Sequence, residues 1–514
     1  MYTQEDHTNI PHKGPSPYSA MQNITITENG VYKLLRNIKP HKATGPDNIQ
    51  ARYLKELALE LTPAITFLFQ TSLEQGKLPN DWLQAHIVPV FKKGDKNTAS
   101  NYRPVSLTYI LCKTLEHIVN SSIMKHLDIH KILTDTQHGF RARRSCETQL
   151  LETLDDITKR AANNKQIDII LLDFSKAFDK VPHKRLLNKL NYYGIRSNTL
   201  QWIYSFLHDR KQLVLLEGVK SSTATVDSGV PQGTVLGPLL FLVYINDLPE
   251  NLHSSAKLFA DDCLLYREVN TTSDTNKLQE DLDMLQKWES KWQMAFNADK
   301  CFVIRAGTKR KTIKQDYTIH NHILEVVEEN KYLGVTISKD LTWKAHINNI
   351  TNKANKTLGF IKRNIHGCTQ KVKQHTFTTM VRPTLEYAST CWDPHSKDLI
   401  EDIEQVQKRA ARFVYNNYRS KEPGCVTNML DTLNWEPLSQ RRAKNRVTML
   451  YKIINNQVTI DPNTYLNKSD TRTRGEHKYK QIATSKNIYK YSFPPPHHQK
   501  LELPPGSSST GYRP

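Results

Sequence analysis

Lys257-Leu258-Phe259-Ala260-Asp261-Asp262-Cys263-Leu264-Leu265-Tyr266 sets two carboxylates side by side inside an otherwise apolar run. The apolar residues on both sides read as two short strands, with the Asp pair at or near the tight turn between them. Ionised neighbours repel, so a site that keeps both charged needs cations, either basic side chains or bound metal. No Lys or Arg lies between Leu258 and Tyr266, and all-oxygen donors suit a hard divalent ion, magnesium first. An exposed turn, where Asp is common, is the plain alternative.

A stretch upstream gives the pair a partner. In Ile167-Asp168-Ile169-Ile170-Leu171-Leu172-Asp173-Phe174-Ser175-Lys176-Ala177-Phe178-Asp179 an apolar strand runs straight into Asp173. Two-metal nucleotidyl transfer takes carboxylates from separate strands that converge on ions roughly 3.5–4 Å apart. Asp173, Asp261 and Asp262 are such a set.

Charge narrows the choice of partner. Lys and Arg number 71 against 51 Asp and Glu, a net charge of +20, and a pI near 9.4 suits a phosphate backbone better than an acidic small molecule. A merely soluble basic surface is the alternative. The longest apolar stretch, Val235 to Ile245, is broken by Gly237 and Pro238 and is too short to span a bilayer. Met1-Tyr2-Thr3-Gln4-Glu5-Asp6-His7 lacks the basic start and apolar core of a secretory signal. No membrane partner is expected, and an intracellular location is, without a choice between nucleus and cytoplasm. The 7 cysteines are scattered with no Cys-x-x-Cys pair, so they read as reduced thiols and not as zinc ligands. Nothing in the sequence indicates an oligomeric state.

Along the chain, residues 1–30 are polar, with Pro11, Pro15 and Pro17 close together, and are expected to be a disordered lead. Leu54, Leu57, Leu61, Ile65, Leu68 and Phe69 predict a helix over 49–75, bent at Pro63. Ile87 to Phe91 reads as a strand that leads into the basic loop Lys92-Lys93-Gly94-Asp95-Lys96 and then Arg103, whose guanidinium suits phosphate oxygens. A lone surface Arg is the alternative. Gly229-Val230-Pro231-Gln232-Gly233 reads as a backbone able to come close to a base pair, with Gln232 as its polar contact. Leu236 to Tyr244 is the supporting helix. Leu278, Leu282, Leu285, Trp288 and Trp292 form a helical stripe under the Asp-Asp hairpin. Beyond 340 the chain turns helical and basic, with Lys353, Lys356, Lys362 and Arg363 largely off the apolar face. Past about 466 periodicity fades into a Pro- and Ser-rich end.

Taken in order, the motifs resemble those of reverse transcriptases of non-long-terminal-repeat retrotransposons, of the LINE-type, jockey-like kind. They are Ala43-Thr44-Gly45-Pro46-Asp47, Asn101-Tyr102-Arg103-Pro104-Val105-Ser106-Leu107, His138-Gly139-Phe140-Arg141, the Asp173 stretch, Gly229 through Pro238, the Asp261-Asp262 stretch, Asn297-Ala298-Asp299-Lys300-Cys301 and Tyr332-Leu333-Gly334-Val335. The resemblance implies an α+β right-hand polymerase, with fingers and palm built on an antiparallel sheet, plus a helical thumb and C-terminal region. It divides the chain into the lead (1–30), an N-terminal extension of the fingers (31–72), a reverse transcriptase domain (73–338), helical thumb and C-terminal region (339–466) and a basic, Pro-rich disordered tail (467–514).

The resemblance also implies roles. Asp173 and Asp261 hold two Mg²⁺ ions, replaceable by Mn²⁺, with Asp262 in support, so the Asp173 and Asp261 carboxylates are expected to lie nearer each other than those of Asp173 and Asp262. Lys300 donates a proton to the departing pyrophosphate, with a solvated surface Lys as the alternative. Arg103, Lys92, Lys93, Phe178 and Gln232 meet the incoming deoxynucleoside triphosphate, Phe178 under the sugar where it clashes with a 2′-hydroxyl. Ordinary core is the other reading of Phe178. Gly229, Pro231 and Gly233 position template, while Tyr332, Leu333 and Gly334 hold the primer end. The partners are an RNA template and a DNA primer or target. Complete elements of this kind usually carry an endonuclease ahead of the polymerase, and none is expected in the first 30 residues. A catalytically silent nucleic-acid-binding remnant is therefore the second reading.

Overall fold

A computed structural model describes residues 3–465 apart from 310, together with 467–468, 479–480, 489 and 492–493. The first part of the chain forms α1 (Glu28–Arg36), α2 (Ala51–Glu56), α3 (Ala58–Gln75), β1 (Gln84–Phe91), β2 (Tyr102–Leu107), α4 (Ile110–Ile129) and α5 (Cys146–Ala162). Then come β3 (Gln166–Asp173), α6 (His183–Tyr192), α7 (Ser197–Leu207), β4 (Lys211–Leu216), β5 (Val219–Lys220), β6 (Ala224–Thr225) and α8 (Leu236–Ile245). The hairpin β7 (Ser255–Phe259) and β8 (Asp262–Val269) precedes α9 (Thr272–Trp292), β9 (Phe302–Ala306), the short strands β10 (Thr318–Ile319), β11 (His322–Ile323) and β12 (Glu325–Val326), and the hairpin β13 (Glu329–Tyr332) and β14 (Val335–Ser338). The rest is helical: α10 (Lys344–Asn364), α11 (Gln370–Thr376), a π turn, α12 (Arg382–Glu386), α13 (Ser389–Trp392), α14 (Lys397–Val414), α15 (Cys425–Thr432) and α16 (Leu438–Ile454).

The central sheet has the order β12-β9-β3-β8-β7. Its strands β9, β3, β8 and β7 are antiparallel as expected, and β12 adds a parallel edge to β9. Successive side chains of β3 point to opposite faces. Ile170 and Leu172 enter one hydrophobic cluster, with α4, α6, α8 and α9. Ile167, Ile169 and Leu171 enter another, with α5 and the helices after 344. Strand β8 divides in the same way, Cys263 and Leu265 to the first cluster and Leu264 and Tyr266 to the second. A strand covered on both faces is apolar nearly throughout, and the one acid inside β3, Asp168, is buried and accepts from Gln166 Nε2 and Tyr317 Oη. The run ends where Asp173 leaves the core. A second sheet, β2-β1-β4-β5 with β6 also on β4, carries the Lys92 loop and Arg103 at one end. Here β1 pairs antiparallel with β2 and parallel with β4.

Two expectations change. The single helix predicted over 49–75 is broken at Leu57 into α2 and α3, and Pro63 lies inside α3 without ending it. Pro63 forfeits only the bond to the carbonyl of Leu59, which is 70 % exposed, so water can take it. The lead expected to be disordered is laid on the protein instead. Residues 3–27 carry no helix or strand, yet Thr3 donates to the Lys180 carbonyl, Lys13 pairs with Asp247 and the Met21 amide donates to the Gly194 carbonyl. Most of the expected tail lies outside the described residues. Of it, Phe493 packs edge-on against Tyr465, and the Ser492 carbonyl accepts from Arg446.

Candidate active site

Strand register brings the acids together. Asp173 ends β3 and lies directly across from Asp262, the first residue of β8, while Phe259 of β7 also pairs with Asp262, leaving Ala260-Asp261 as the turn. Directly opposed residues share a face of the sheet, so the register sets Asp262 beside Asp173 and leaves Asp261 to the turn. The sequence-based ordering of the two acids rested on the family alone and took no account of this pairing.

The carboxylates act on one another. Burial, and then the Asp173 charge, push Asp261 above the ordinary carboxylate range, while Lys92 and Arg103 pull it down. Asp262, although solvent reaches it, is pushed up to about 6 by its surroundings and then by Asp261 and Asp173. Lys300 Nζ lies 3.4 Å from Asp173 Oδ2, both side chains being partly exposed. Among the described residues no three His, Cys, Asp or Glu side chains close on one point as they stand. The donor chemistry nonetheless fits a hard cation: every donor is a carboxylate oxygen, and the Asp173 charge raises the proton affinity of both Asp261 and Asp262. Asp173, Asp261 and Asp262 are the residues that would hold it.

The turn is held from outside by a segment whose role the sequence reading did not see. Residues 136–139 lie along β7: the His138 amide donates to the Leu258 carbonyl, the Leu258 amide to the Thr136 carbonyl, and Gln137 bridges Leu258 in parallel. Gln137 Oε1 accepts from the amides of Ala260 (2.9 Å) and Gly139 (2.7 Å). Ala260 adopts φ 51°, which costs an L-residue roughly 1–2 kcal/mol, and the Gln137 bond offsets part of it. A Cβ on Gly139 would stand 2.4 Å from the Ala260 nitrogen, so only glycine permits the approach. Below, Lys257 Nζ lies 2.8 Å from Glu152 Oε2 and ties β7 to α5. Burial pushes Glu152 up, but bonds from His138 and Lys257 outweigh it and hold the carboxyl at about 2.

The remaining predicted residues fall into three groups. Lys92 and Arg103 reach Asp261 electrostatically, whereas Lys93 is an exposed member of the same loop. Phe178 is half-buried, stacked on Phe241 at 4.5 Å and edge-on to Phe140 at 6.3 Å. Gln232 donates its amide to Asp179 Oδ1 at 3.0 Å, and its carbonyl accepts from the Ser106 amide at 2.8 Å. The third group has packing contacts of its own. At Gly229 and Gly233 the chain's own backbone comes close enough to require glycine. A Cβ on Gly229 would meet the Phe178 and Asp179 carbonyls at 2.7 Å, and one on Gly233 the Ser106 carbonyl at 3.0 Å. Both also have positive φ, 92° and 94°. Pro231 serves the same packing, its carbonyl accepting from Thr234 Oγ1. Tyr332 is 3 % exposed and bonded through its hydroxyl to Gln149, so its ring is core. Leu333 and Gly334, at φ 44° and 91°, make the two-residue turn between β13 and β14. The Leu333 carbonyl accepts from Tyr387 Oη at 2.9 Å.

Comparison with known proteins gives this arrangement its relatives. Residues 91–337 match the family of reverse transcriptases (RNA-dependent DNA polymerases). The chain is 28% identical over 431 residues to the RNA-directed DNA polymerase from mobile element jockey of Drosophila melanogaster, covering 80% of this chain and 45% of that protein. The corresponding protein of Drosophila funebris is 28% identical over 409 residues, 76% of this chain and 44% of its own length. A probable RNA-directed DNA polymerase from transposon BS of Drosophila melanogaster is 26% identical over 407 residues, 75% of this chain and 44% of its own. The chain thus spans less than half the length of the curated relatives it matches. Asp173, Asp261, Asp262, Arg103 and Gln232 all lie inside the matched segment, and residues 91–337 are a reverse transcriptase domain, homologous to those of jockey-like mobile elements.

Proposed function

We propose that the chain is an RNA-directed DNA polymerase that extends a primer 3′-hydroxyl on an RNA template with deoxynucleoside triphosphates. The central sheet and its Asp-Asp hairpin are then the palm, the sheet bearing Lys92 and Arg103 the fingers, and α10 to α14 the thumb. The observation that carries this reading is the meeting of Asp173 with Asp261 and Asp262 at the ends of adjacent strands, with Lys92 and Arg103 acting on Asp261. Magnesium held by these three carboxylates would activate the attacking hydroxyl and stabilise the leaving phosphates. The protein's own groups do the positioning. Arg103 and Lys92 draw the triphosphate towards Asp261, and Asp179 fixes the Gln232 amide above the turn that carries Phe178. The 3′-hydroxyl attacks the α-phosphate, the bond to the β-phosphate breaks, and pyrophosphate leaves towards the cations of the fingers. Lys300, on Asp173, is placed to steady that carboxylate, a role nearer its observed contact than proton donation to pyrophosphate. Exposed Lys353, Lys356, Arg363 and Arg409 give the thumb phosphate contacts for the template and primer.

The test is primer extension on an RNA template by the purified chain with magnesium, beside Asp173→Asn. Extension by the parent and none by the variant, with equal template-primer binding, is the expected result. Binding without extension by the parent would leave a silent nucleic-acid-binding remnant.

A further inference from the structure

Phe140 is unlike its neighbours. Among the described residues it is the only Phe, Tyr or Trp with a positive φ, 55°, and the residue is 56% exposed. A bulky residue in the left-handed region is strained and persists only where its surroundings over-determine it. Those surroundings are on both sides of it. The preceding residues are stitched to the Asp-Asp hairpin through Leu258 and Ala260. The following one, Arg141, donates to the Thr134 carbonyl at 2.7 Å. A loop needed only for packing would place Gly or Asn at this φ without strain. Here the ring is kept, and burial does not account for it. Among the described residues its aromatic contact is the edge-on approach to Phe178, on which Phe241 is stacked.

We infer that Phe140 is a nucleotide-contacting residue: its exposed ring forms a second aromatic wall of the incoming-nucleotide pocket, at right angles to Phe178, against which the base and sugar stack. The inference rests on the polymerase reading and deepens it. Phe140 and Phe178 stand at an interplanar angle of 82°, so a nucleotide lying over Phe178 meets Phe140 at its side. The loop that carries Phe140 also fixes the turn that carries Asp261, which sets this wall in constant relation to the reacting acids.

The experiment compares Phe140→Gly, Phe140→Ala and Phe140→Tyr. Glycine relieves the backbone strain while deleting the ring, so Phe140→Gly should melt no lower than the parent. Stacking of a base on an aromatic ring is worth about tenfold or more in affinity. Phe140→Gly and Phe140→Ala should therefore raise the KM for the next deoxynucleotide about tenfold, with kcat at saturation nearly unchanged, and Phe140→Tyr should restore the parental value. The same shift should appear when the labelled next deoxynucleotide is captured on a filter by the complex with RNA template and dideoxy-terminated primer. A parental KM in Phe140→Gly, or a tyrosine variant as poor as the glycine one, overturns the inference while leaving the polymerase reading intact. If the parent binds nucleotide without extending, the polymerase reading falls and the filter assay alone decides on Phe140. If the parent captures no nucleotide, both fall.

Discussion

Asp261 and Asp262 are adjacent in sequence and unequal in surroundings. Asp262 faces Asp173 across the strands and reaches solvent. Asp261, half-buried in the turn, is acted on by Asp173 and by both Lys92 and Arg103, whereas of these two cations Lys92 acts on Asp262. Asp261 is thus the acid coupled both to the strand-end carboxylate and to the two cations that would receive phosphates. Asp261→Asn is expected to lower extension by at least about 10²–10³, the scale of losing one electrostatic contact in an active site. Asp262→Asn should retain more, particularly with manganese. Single-turnover rates of the two variants decide it, and a greater loss in Asp262→Asn would exchange their roles. Phe178 allows a second prediction at this scale. Phe241 stacks behind it, so its ring has no room to withdraw from a 2′-hydroxyl. Phe178→Val should raise kcat/KM for ribonucleotides relative to deoxynucleotides, and an unchanged ratio would return Phe178 to packing alone.

Helix α8 shows what an element needs beyond its own residues. Nine of its ten residues are buried, so the amides at its start cannot turn to water. Glu116, on α4 and fully buried, accepts from the amides of Val235 (2.7 Å) and Leu236 (3.0 Å). Burial pushes this carboxyl up, and the two amides oppose it. Glu116→Ala strands two buried donors at about 1–3 kcal/mol each, so a loss of about 3 kcal/mol is expected from urea unfolding at unchanged m. Glu116→Gln keeps an acceptor and should lose less. A change within about 0.5 kcal/mol for the alanine variant, the size of an ordinary surface substitution, would remove Glu116 from this role. The same contrast explains what the sequence disclosed. The apolar run of β3 ending at Asp173, the hairpin turning at Ala260-Asp261 and the helical stripe of α9 are local patterns, and the fold follows them. Glu116 lies 119 residues from Val235 and Gln137 lies 123 from Ala260. No periodicity marks such partners. The glycines at 229 and 233 were legible as close approaches, but the sequence did not say that the approaching atoms are the chain's own.

At the scale of the molecule, the central sheet stands between two hydrophobic clusters, and the N-terminal segment crosses the surface of one of them. Polar composition and prolines read as disorder because the partners that dock this segment on the protein are distant in sequence. Glu5 Oε2 and Oε1 accept from the amides of Lys184 (3.0 Å) and Arg185 (2.9 Å), in the first turn of α6, where a carboxylate is favoured by the helix dipole. Glu5 also pairs with the Arg185 guanidinium at 3.3 Å, their side chains 7% and 3% exposed, and Arg185 donates further to the carbonyls of Asp6 and Asn9. Eight residues on, Lys13 lies 2.6 Å from Asp247, which also pairs with fully buried Lys189 and accepts from Trp288 Nε1. Burial pushes Lys189 down to about 7, although Asp247 opposes it. Lys13 and Lys189 together balance Asp247, so the segment completes a charge arrangement at the end of α8. Removing one partner of a buried pair costs about 3–5 kcal/mol, and Glu5→Ala should approach the lower end, because the bonds of the Arg185 guanidinium to the carbonyls of Asp6, Asn9 and Lys291 persist in part. Limited proteolysis should leave residues 3–20 uncut in the parent and open them in Glu5→Ala, with a lower Tm. Cleavage of the parent there at the rate of an unfolded peptide, with Tm unchanged afterwards, would show that the segment is not docked and that Arg185 finds its partners elsewhere.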